Sequence, residues 1–452
     1  MHRKKLLFVS ANRYVNPYPV YPLGISYLFT YLTDRLPDYS IRTFDFNLNA
    51  LESFQDYLLD FKPDYIGLSL RNVDDVNSLS QESFIGGYKA IVDIIRQTVR
   101  VPVIIGGSGF SIYPRELFDL LSPDYGIKGE GEESLYNFLL SLDAGKPDLT
   151  VDGLVYRNGG EIIVNDRKHF IKTPDLDFDK GLLGFYWDKA GMVNVQTKRG
   201  CPYNCIYCTY PLIEGHNVRT LDPDKIVHTL RELYEKHQID YVFFTDSVFN
   251  ISPAFNIDLA KKMIASKLPM RWGAYFSPHN LSYNELKLFA EAGLKHVEFG
   301  TESMSDTTLK NYGKHFDVEE VVRVSDYCNQ LGIYFCHFMI IGGYGETEAT
   351  INESFENAKR IENTVFFPFI GMRIYPGTEL HKISLAQGFI HPEDNLLEPV
   401  YFIAPGIDYS TLRERAEISG RRWVFPDEDV ATAMNRLRKR KRKGSLWHHL
   451  KK

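Results

Sequence analysis

The sequence predicts an α/β protein with two parallel-sheet domains in tandem, followed by a short C-terminal helical segment. Three observations carry this. The chain has 452 residues, about three times the length of a usual single domain. Its composition, 44% hydrophobic, 24% charged and 14% aromatic, is that of a folded globular protein and excludes disordered, collagen-like and coiled-coil architectures. Short Val/Ile/Leu/Phe/Tyr runs alternate with stretches of helical periodicity, and such continuous apolar strands are expected where helices cover both faces of a sheet.

In the N-terminal segment, residues 1–148, the expected strands are Leu6–Val9, Ile41–Phe46, Tyr65–Leu70, Val101–Ile105 and Tyr125–Ile127. Helical stretches Gly24–Leu36, Tyr88–Val99 and Pro114–Leu121 separate them. This order makes a doubly wound parallel sheet, which binds ligands beyond the carboxyl ends of its strands. Unusual residues stand at those ends: Ser69-Leu70-Arg71, Gly106-Gly107-Ser108-Gly109 and Gly129-Glu130-Gly131-Glu132. Glycine allows sharp turns and close approach of a ligand to backbone N–H groups. Plain turn chemistry explains either glycine cluster alone, and neither is the six-residue dinucleotide fingerprint, so a nicotinamide or flavin site is unsupported.

The segment resembles the cobalamin-binding domain found ahead of radical S-adenosylmethionine (SAM) enzymes. The matching pieces are Pro22-Leu23-Gly24, Phe61-Lys62-Pro63-Asp64, Ile105-Gly106-Gly107 and Gly129-Glu130-Gly131-Glu132. The resemblance implies a Rossmann-like sheet in which Ser69, Arg71, Gly106, Gly107, Ser108, Gly129, Glu130 and Gly131 cradle cobalamin. Members that ligate cobalt through histidine carry Asp-x-His-x-x-Gly after the second strand. The corresponding stretch here, Asp45-Phe46-Asn47-Leu48-Asn49-Ala50, has no histidine. Cobalamin without a histidine lower ligand is therefore expected.

Residues 149–190 read as a linker with a hairpin, Val151–Arg157 and Glu161–Asn165 around Asn158-Gly159-Gly160. A second strand–helix series occupies residues 191–385. Its first strand, Met192–Thr197, precedes Arg199-Gly200-Cys201-Pro202-Tyr203-Asn204-Cys205-Ile206-Tyr207-Cys208. Three thiols at these spacings suit a compact loop around a metal centre. Tetrahedral zinc needs a fourth ligand, for which His216 is the nearest candidate. A 4Fe–4S cluster is the better fit, because thiolates are its standard ligands and three of them leave one iron open. The spacing, with Tyr207 before the third cysteine, is the signature of the radical SAM superfamily.

Later residues follow in the order of a strand–helix barrel. Asp222–His237 reads as a helix, Tyr241–Phe244 as a strand, Trp272–Phe276, Val297–Phe299 and Ile333–Ile341 as further strands. Ser282–Ala292 and the stretch from Val318, with Asp317 and Glu320 as a capping box, read as helices. The resemblance implies the partial (β/α)6 radical SAM barrel, with its chemistry at the strands' C-terminal ends. It also implies SAM contacts at Tyr207, at Thr245, Asp246 and Ser247, at Glu302 and Ser303, and at Ile340 and Gly342. Lys314 follows Glu302 at the family's distance. Gly342-Gly343-Tyr344-Gly345-Glu346-Thr347 is similar to a family turn that usually has proline where Tyr344 stands. Cys328 reads as packing on a helix face, and Cys336 and His337 point to opposite faces of a strand.

Residues 386–452 form the C-terminal segment. Between Arg436 and Lys452 there are nine basic residues and no acidic one, although the whole chain is net −6. An acidic body with a basic tail is not a general nucleic-acid binder, so no nucleic acid is expected. The tail reads as a solvated terminus, or as a peripheral membrane contact through Leu446, Trp447 and Leu450. No apolar run is long enough to span a membrane, and the His2–Val9 start is too short for a signal peptide. Five cysteines, three within eight residues, form no disulfide framework, which points to a reducing compartment and a cytoplasmic location.

The resemblance covers roughly residues 1–380 and implies a cobalamin-dependent radical SAM enzyme served by a flavodoxin- or ferredoxin-like reductant. C-methylation of a lipid, isoprenoid-like or other small molecule is the expected reaction. The lipid expectation rests on Phe366-Phe367-Pro368-Phe369 and the Trp-bearing tail. Cobalamin-assisted cyclisation, oxygenation or rearrangement stands beside it. So do a radical SAM enzyme whose N-terminal domain no longer binds cobalamin and a non-enzymatic cobalamin-binding regulator, which has no need of the three-cysteine loop.

Overall fold

The computed structural model describes residues 3–172, 174–425, 443–445 and 447. Strands β1 (Lys4–Ser10), β2 (Tyr39–Asp45), β3 (Tyr65–Ser69), β4 (Val103–Gly106) and β5 (Tyr125–Ile127) lie within about two residues of expectation. They pair in parallel, and the order β2-β1-β3-β4-β5 places neighbours from distant parts of the chain side by side. Helices cover both faces, which is why Leu6, Leu7, Ile66, Val103 and Ile105 are all fully buried.

The expected linker hairpin is not free-standing. Strands β6 (Leu154–Asn158) and β7 (Glu161–Val164) add to β5 in antiparallel pairing and complete a seven-stranded sheet. Gly126 and Ile127 at an otherwise open edge supply the unpaired backbone groups that β6 satisfies.

The second sheet follows the helix Lys180–Ala190, whose N-cap Asp179 accepts from the N–H groups of Gly181 and Leu182. Its strands are β8 (Val193–Val195), β11 (Tyr241–Phe244), β12 (Arg271–Phe276), β13 (Leu294–Glu302), β14 (Tyr334–Ile341), β15 (Val365–Ile370) and β18 (Arg422–Trp423). They are all parallel, in the order β8-β11-β12-β13-β14-β15-β18. The family resemblance implied six strands. The seventh, β18, comes from the C-terminal segment, which therefore holds a strand beside its helix Leu412–Ile418. Short β9 (Lys198–Arg199) and β10 (Arg219–Thr220) form an antiparallel ribbon, as do β16 (Met372–Arg373) and β17 (Tyr401–Phe402).

Capping follows the sequence closely. Ser282 and Glu285 form a capping box, whereas at the helix Val318–Leu331 only half is made, Asp317 accepting from the Glu320 N–H. Cys328 is buried in the helix-facing core, Cys336 belongs to a small cluster on the opposite face, and His337 reaches Ser325 on the helix side at 3.3 Å. Among the described residues no helix is long and apolar enough to cross a membrane.

The two sheets are not separated by an open linker. One apolar cluster runs from Leu68, Phe110 and Tyr113 of the first to Ile206, Tyr312, Ile374 and Phe402 of the second. A buried ion pair crosses the same boundary: Arg373 Nε lies 2.8 Å from Asp74 Oδ2, and both side chains are 1% exposed or less. Arg373 also donates to the Leu396 and Ile374 carbonyls. Asp74→Ala leaves that guanidinium buried without its counter-charge, and an expected loss of about 3–5 kcal/mol is checked by denaturant unfolding.

Candidate active site

The three-cysteine loop leaves the β9 strand at the carboxyl edge of the second sheet. Gly200 has φ +89°, and a Cβ there would lie 2.2 Å from the Asn217 carbonyl oxygen, so the loop demands glycine. The Cys201 N–H donates to Gly215 O at 3.1 Å, Cys208 N–H to Cys205 O at 3.1 Å and Ile206 N–H to Tyr312 O at 3.2 Å. Cys201 is buried, Cys205 and Cys208 partly so. Burial, reinforced by the negative charges of Cys205 and Cys201, pushes the Cys208 thiol up to about 12. Ionising that thiol calls for a cationic partner, and a set of three cysteines on one loop therefore fits an iron–sulfur cluster. His216 is exposed, and among the described residues no three His, Cys, Asp or Glu side chains gather round a single metal ion.

A charged triad stands beside the loop. Tyr207 donates its hydroxyl to Glu302 Oε1 at 2.9 Å, and Lys314 Nζ lies 3.4 Å from the same oxygen and 3.1 Å from Gly300 O. Glu302 has φ +64°, at a register shift of β13 between Phe299 and Glu302. A bulge of this kind re-aims a side chain, here towards the cysteine loop. The Glu302 carboxylate outweighs the burial of Lys314 and holds its ammonium above the ordinary lysine range.

Other expected SAM residues divide. Thr245 lines the cavity described below, and the Ser247 hydroxyl donates to Gly200 O at 3.2 Å, beside the cysteine loop. Gly342 turns at the end of β14 with φ +85°, its N–H donating to Glu346, and Ile340 is partly exposed. Asp246 has protein partners of its own. Its carboxylate is fully buried, accepts from Thr197 N–H at 2.7 Å and pairs with Lys198 Nζ at 2.8 Å, so it fastens β8–β9 to the end of β11. So does Ser303. It is buried against Ser354 at 3.2 Å and receives the Ser305 N–H, locking the strand end to the helix Glu348–Ala358.

The carboxyl edge of the first sheet faces Arg199 and Thr209, on either side of this loop, across a cavity of about 510 Å³, within the range of cofactor and small-molecule sites. Ser69, Arg71, Gly106, Gly107, Ser108, Gly129, Glu130 and Gly131 line one side. Gly107 has φ +98°, and a Cβ there would come within 2.6 Å of Leu70 O. The Ser108 hydroxyl donates to Arg71 O at 2.7 Å, and Gly129 N–H to the Ser111 oxygen at 2.8 Å. Glu130 touches the cavity, but its carboxylate is taken by Arg219 at 2.6 Å and Arg199 at 3.5 Å, a clamp between domains. No histidine is among the lining residues. Asp45, in the stretch that replaces the histidine motif, is buried and accepts from Tyr186 OH at 2.9 Å. The glycine-edged, roomy cavity fits a broad cofactor carrying its own charge and hydrogen-bonding groups.

Sequence reasoning did not single out the opposite wall: Asn194, Gln196, Tyr210 and Glu214. Glu214 accepts from Gly200 N–H at 2.9 Å and Gln196 at 3.2 Å. Arg199, immediately before the Gly-Cys of the motif, was the available signal, and it pairs with Glu132 at 2.8 Å.

Comparison with known proteins agrees with this architecture. The profile of the radical SAM superfamily matches residues 195–358, and that of the B12 binding domain matches residues 12–139. The chain therefore joins a B12 binding domain to a radical SAM domain. It is 23% identical to the tryptophan 2-C-methyltransferase of Streptomyces laurentii, over 82% of this chain and 74% of that one. It is 26% identical to the anaerobic magnesium-protoporphyrin IX monomethyl ester cyclase of Rubrivivax gelatinosus, over 57% and 49% of the two chains. The fold is shared with the radical SAM methyltransferase TsrM from Kitasatospora setae, solved with tryptophan and a SAM analogue, at a TM-score of 0.90 and 20% identity, covering 99% and 97% of the chains.

Proposed function

We propose that this enzyme is a cobalamin-dependent radical SAM methyltransferase acting on carbon of a small molecule. The observation that carries the reading is the single cavity onto which both the glycine loops of the first sheet and residues flanking the cysteine loop open. Cys201, Cys205 and Cys208 hold a 4Fe–4S cluster. Tyr207, Thr245, Ser247, Glu302, Ile340 and Gly342 surround SAM, with Lys314 fixing the Glu302 carboxylate. Ser69, Arg71, the Gly106–Ser108 turn and the Gly129–Gly131 backbone cradle cobalamin without a histidine ligand. When bound, these groups supply a SAM-derived radical for hydrogen abstraction and a methyl carrier for its replacement. The chain itself positions them and excludes water, through Arg199, Arg219 and the shared apolar cluster that closes the two sheets together.

The substrate is left at the level of a small molecule. Trp447, one motive for a lipid, is 7% exposed and bonded to Glu298, and Phe366 is buried between His337 and Trp423. The basic run Arg436–Arg442, with Leu446 and Leu450, lies outside the described residues. The likeness to the magnesium-protoporphyrin cyclase supports ring formation as the second reading.

Metabolite profiling of a deletion strain fed methyl-labelled methionine separates the two. A missing species with one labelled methyl is expected, and loss of an unlabelled ring overturns methylation. Cobalamin binding has its own check. Wild-type protein incubated with hydroxocobalamin and desalted retains corrin absorbance. Gly107→Ala, strained by about 1–3 kcal/mol at φ +98° and crowding Leu70, retains at most about a tenth of it.

A further inference from the structure

One buried carboxylate of the second sheet has no part in the site above. Val297 and Phe299 point into the helix-facing core, so Glu298 between them points to the inner face. Glu298 is 3% exposed. Among the described residues its one hydrogen bond comes from the Trp447 indole N–H, 3.0 Å from Oε1, with His296 Nε2 at 3.7 Å. Asp246, an equally buried structural carboxylate, accepts from Thr197 and Lys198 and is fully compensated. Glu298 is not, and burial pushes its carboxyl up to about 7.

The surroundings are aromatic. Phe243 and Tyr275 meet edge-on at 4.9 Å, Tyr275 and Phe338 stand 6.4 Å apart, and Phe338 lies 5.6 Å from Phe367. Tyr275, Phe338 and Phe367 keep part of their surface free, whereas their outward neighbours Phe276, Phe335 and Phe366 are 1% exposed or less. The inner face is therefore not packed shut. Burial and the charge of Glu298 both raise the Tyr18 and Tyr275 hydroxyls, and Tyr275 also feels Tyr210 and Arg71, which line the large cavity. Ring faces around a carboxylate are the chemistry that recognises an ammonium group.

We propose that the inner face of β12–β15 is the substrate's recognition site, taking a flat apolar molecule that carries a protonated amine. Glu298 pairs with the nitrogen, and Tyr275 and Phe338 pack against the body. This rests on the reading that the adjoining cavity is the reaction site. The Trp447 N–H holds one carboxylate oxygen in place and leaves the other for the ligand.

Calorimetry on the cluster-loaded, full-length protein without SAM tests this, using 2-phenylethylamine, 2-phenylethanol and 3-phenylpropanoate as probes. The amine binds at least about 10-fold more tightly than the alcohol, and the carboxylate binds least. Glu298→Gln keeps an acceptor for Trp447 and brings the amine to the level of the alcohol. Tyr275→Leu weakens the amine by about 5-fold or more and guards against a misfolded Gln variant. No saturable binding of the amine, equal binding of amine and alcohol, or a preference that survives in Glu298→Gln overturns the proposal. Because binding is read without turnover, failure of SAM cleavage sinks the methyltransferase reading and leaves this result standing.

Discussion

Replacing Cys201, Cys205 and Cys208 together by alanine abolishes bound iron and sulfide and, with them, formation of 5′-deoxyadenosine from SAM. The wild-type protein, reconstituted without oxygen, takes up about four iron atoms per chain. The effect is total because, among the described residues, no neighbouring group replaces a thiolate: His216 is exposed, and Cys328 and Cys336 are buried in other clusters. The loop itself survives. Its shape is set by Gly200, by the Cys201 N–H bond to Gly215 and by the Ile206 N–H bond to Tyr312, all backbone features that alanine preserves. Unfolding of the metal-free variant therefore stays within about 1 kcal/mol of metal-free wild type. Cys328→Ala, the control, keeps its iron. SAM cleavage by the triple variant would refute the site.

Asp246→Ala destabilises the fold by about 3–5 kcal/mol. Lys198 and Asp246 are both fully buried, and removal of the carboxylate strands an ammonium that keeps, among the described residues, Thr197 Oγ1 and the Phe249 carbonyl as hydrogen-bond acceptors and no counter-charge. The Thr197 and Lys198 N–H groups lose their acceptor as well. Denaturant unfolding of the metal-free protein reads this directly. A contact to SAM alone predicts the opposite pattern, with unchanged unfolding and weakened SAM binding, and that outcome would refute the structural role.

Much of this was legible because it is local. Runs of β-branched and aromatic residues between helical stretches gave the parallel strands, and Asp222, Ser282 and Asp317 marked helix starts through bonds to backbone a few residues away. The cysteine spacing was equally readable, since one short loop presents all three thiols. Ambiguity entered where a residue type has two uses. Asp246, Ser303 and Glu130 stand at strand ends where a polar side chain meets either a ligand or a neighbouring element, and all three serve neighbours.

By itself the sequence determined the two sheets, the order of their strands along the chain, the three-cysteine loop and the glycine turns that face it. Only the tertiary structure decided that the hairpin Leu154–Val164 extends the first sheet, that β18 extends the second, and that Trp447 ends beside Glu298. It also decided which buried carboxylates have partners. Asp74 and Arg373 are 299 residues apart in the chain, and Glu298 and Trp447 are 149 apart. The reason is physical. A backbone turn or a cap is fixed by neighbours in sequence, whereas a buried charge is stable only beside a partner that folding brings from elsewhere, and no local pattern records which partner that is.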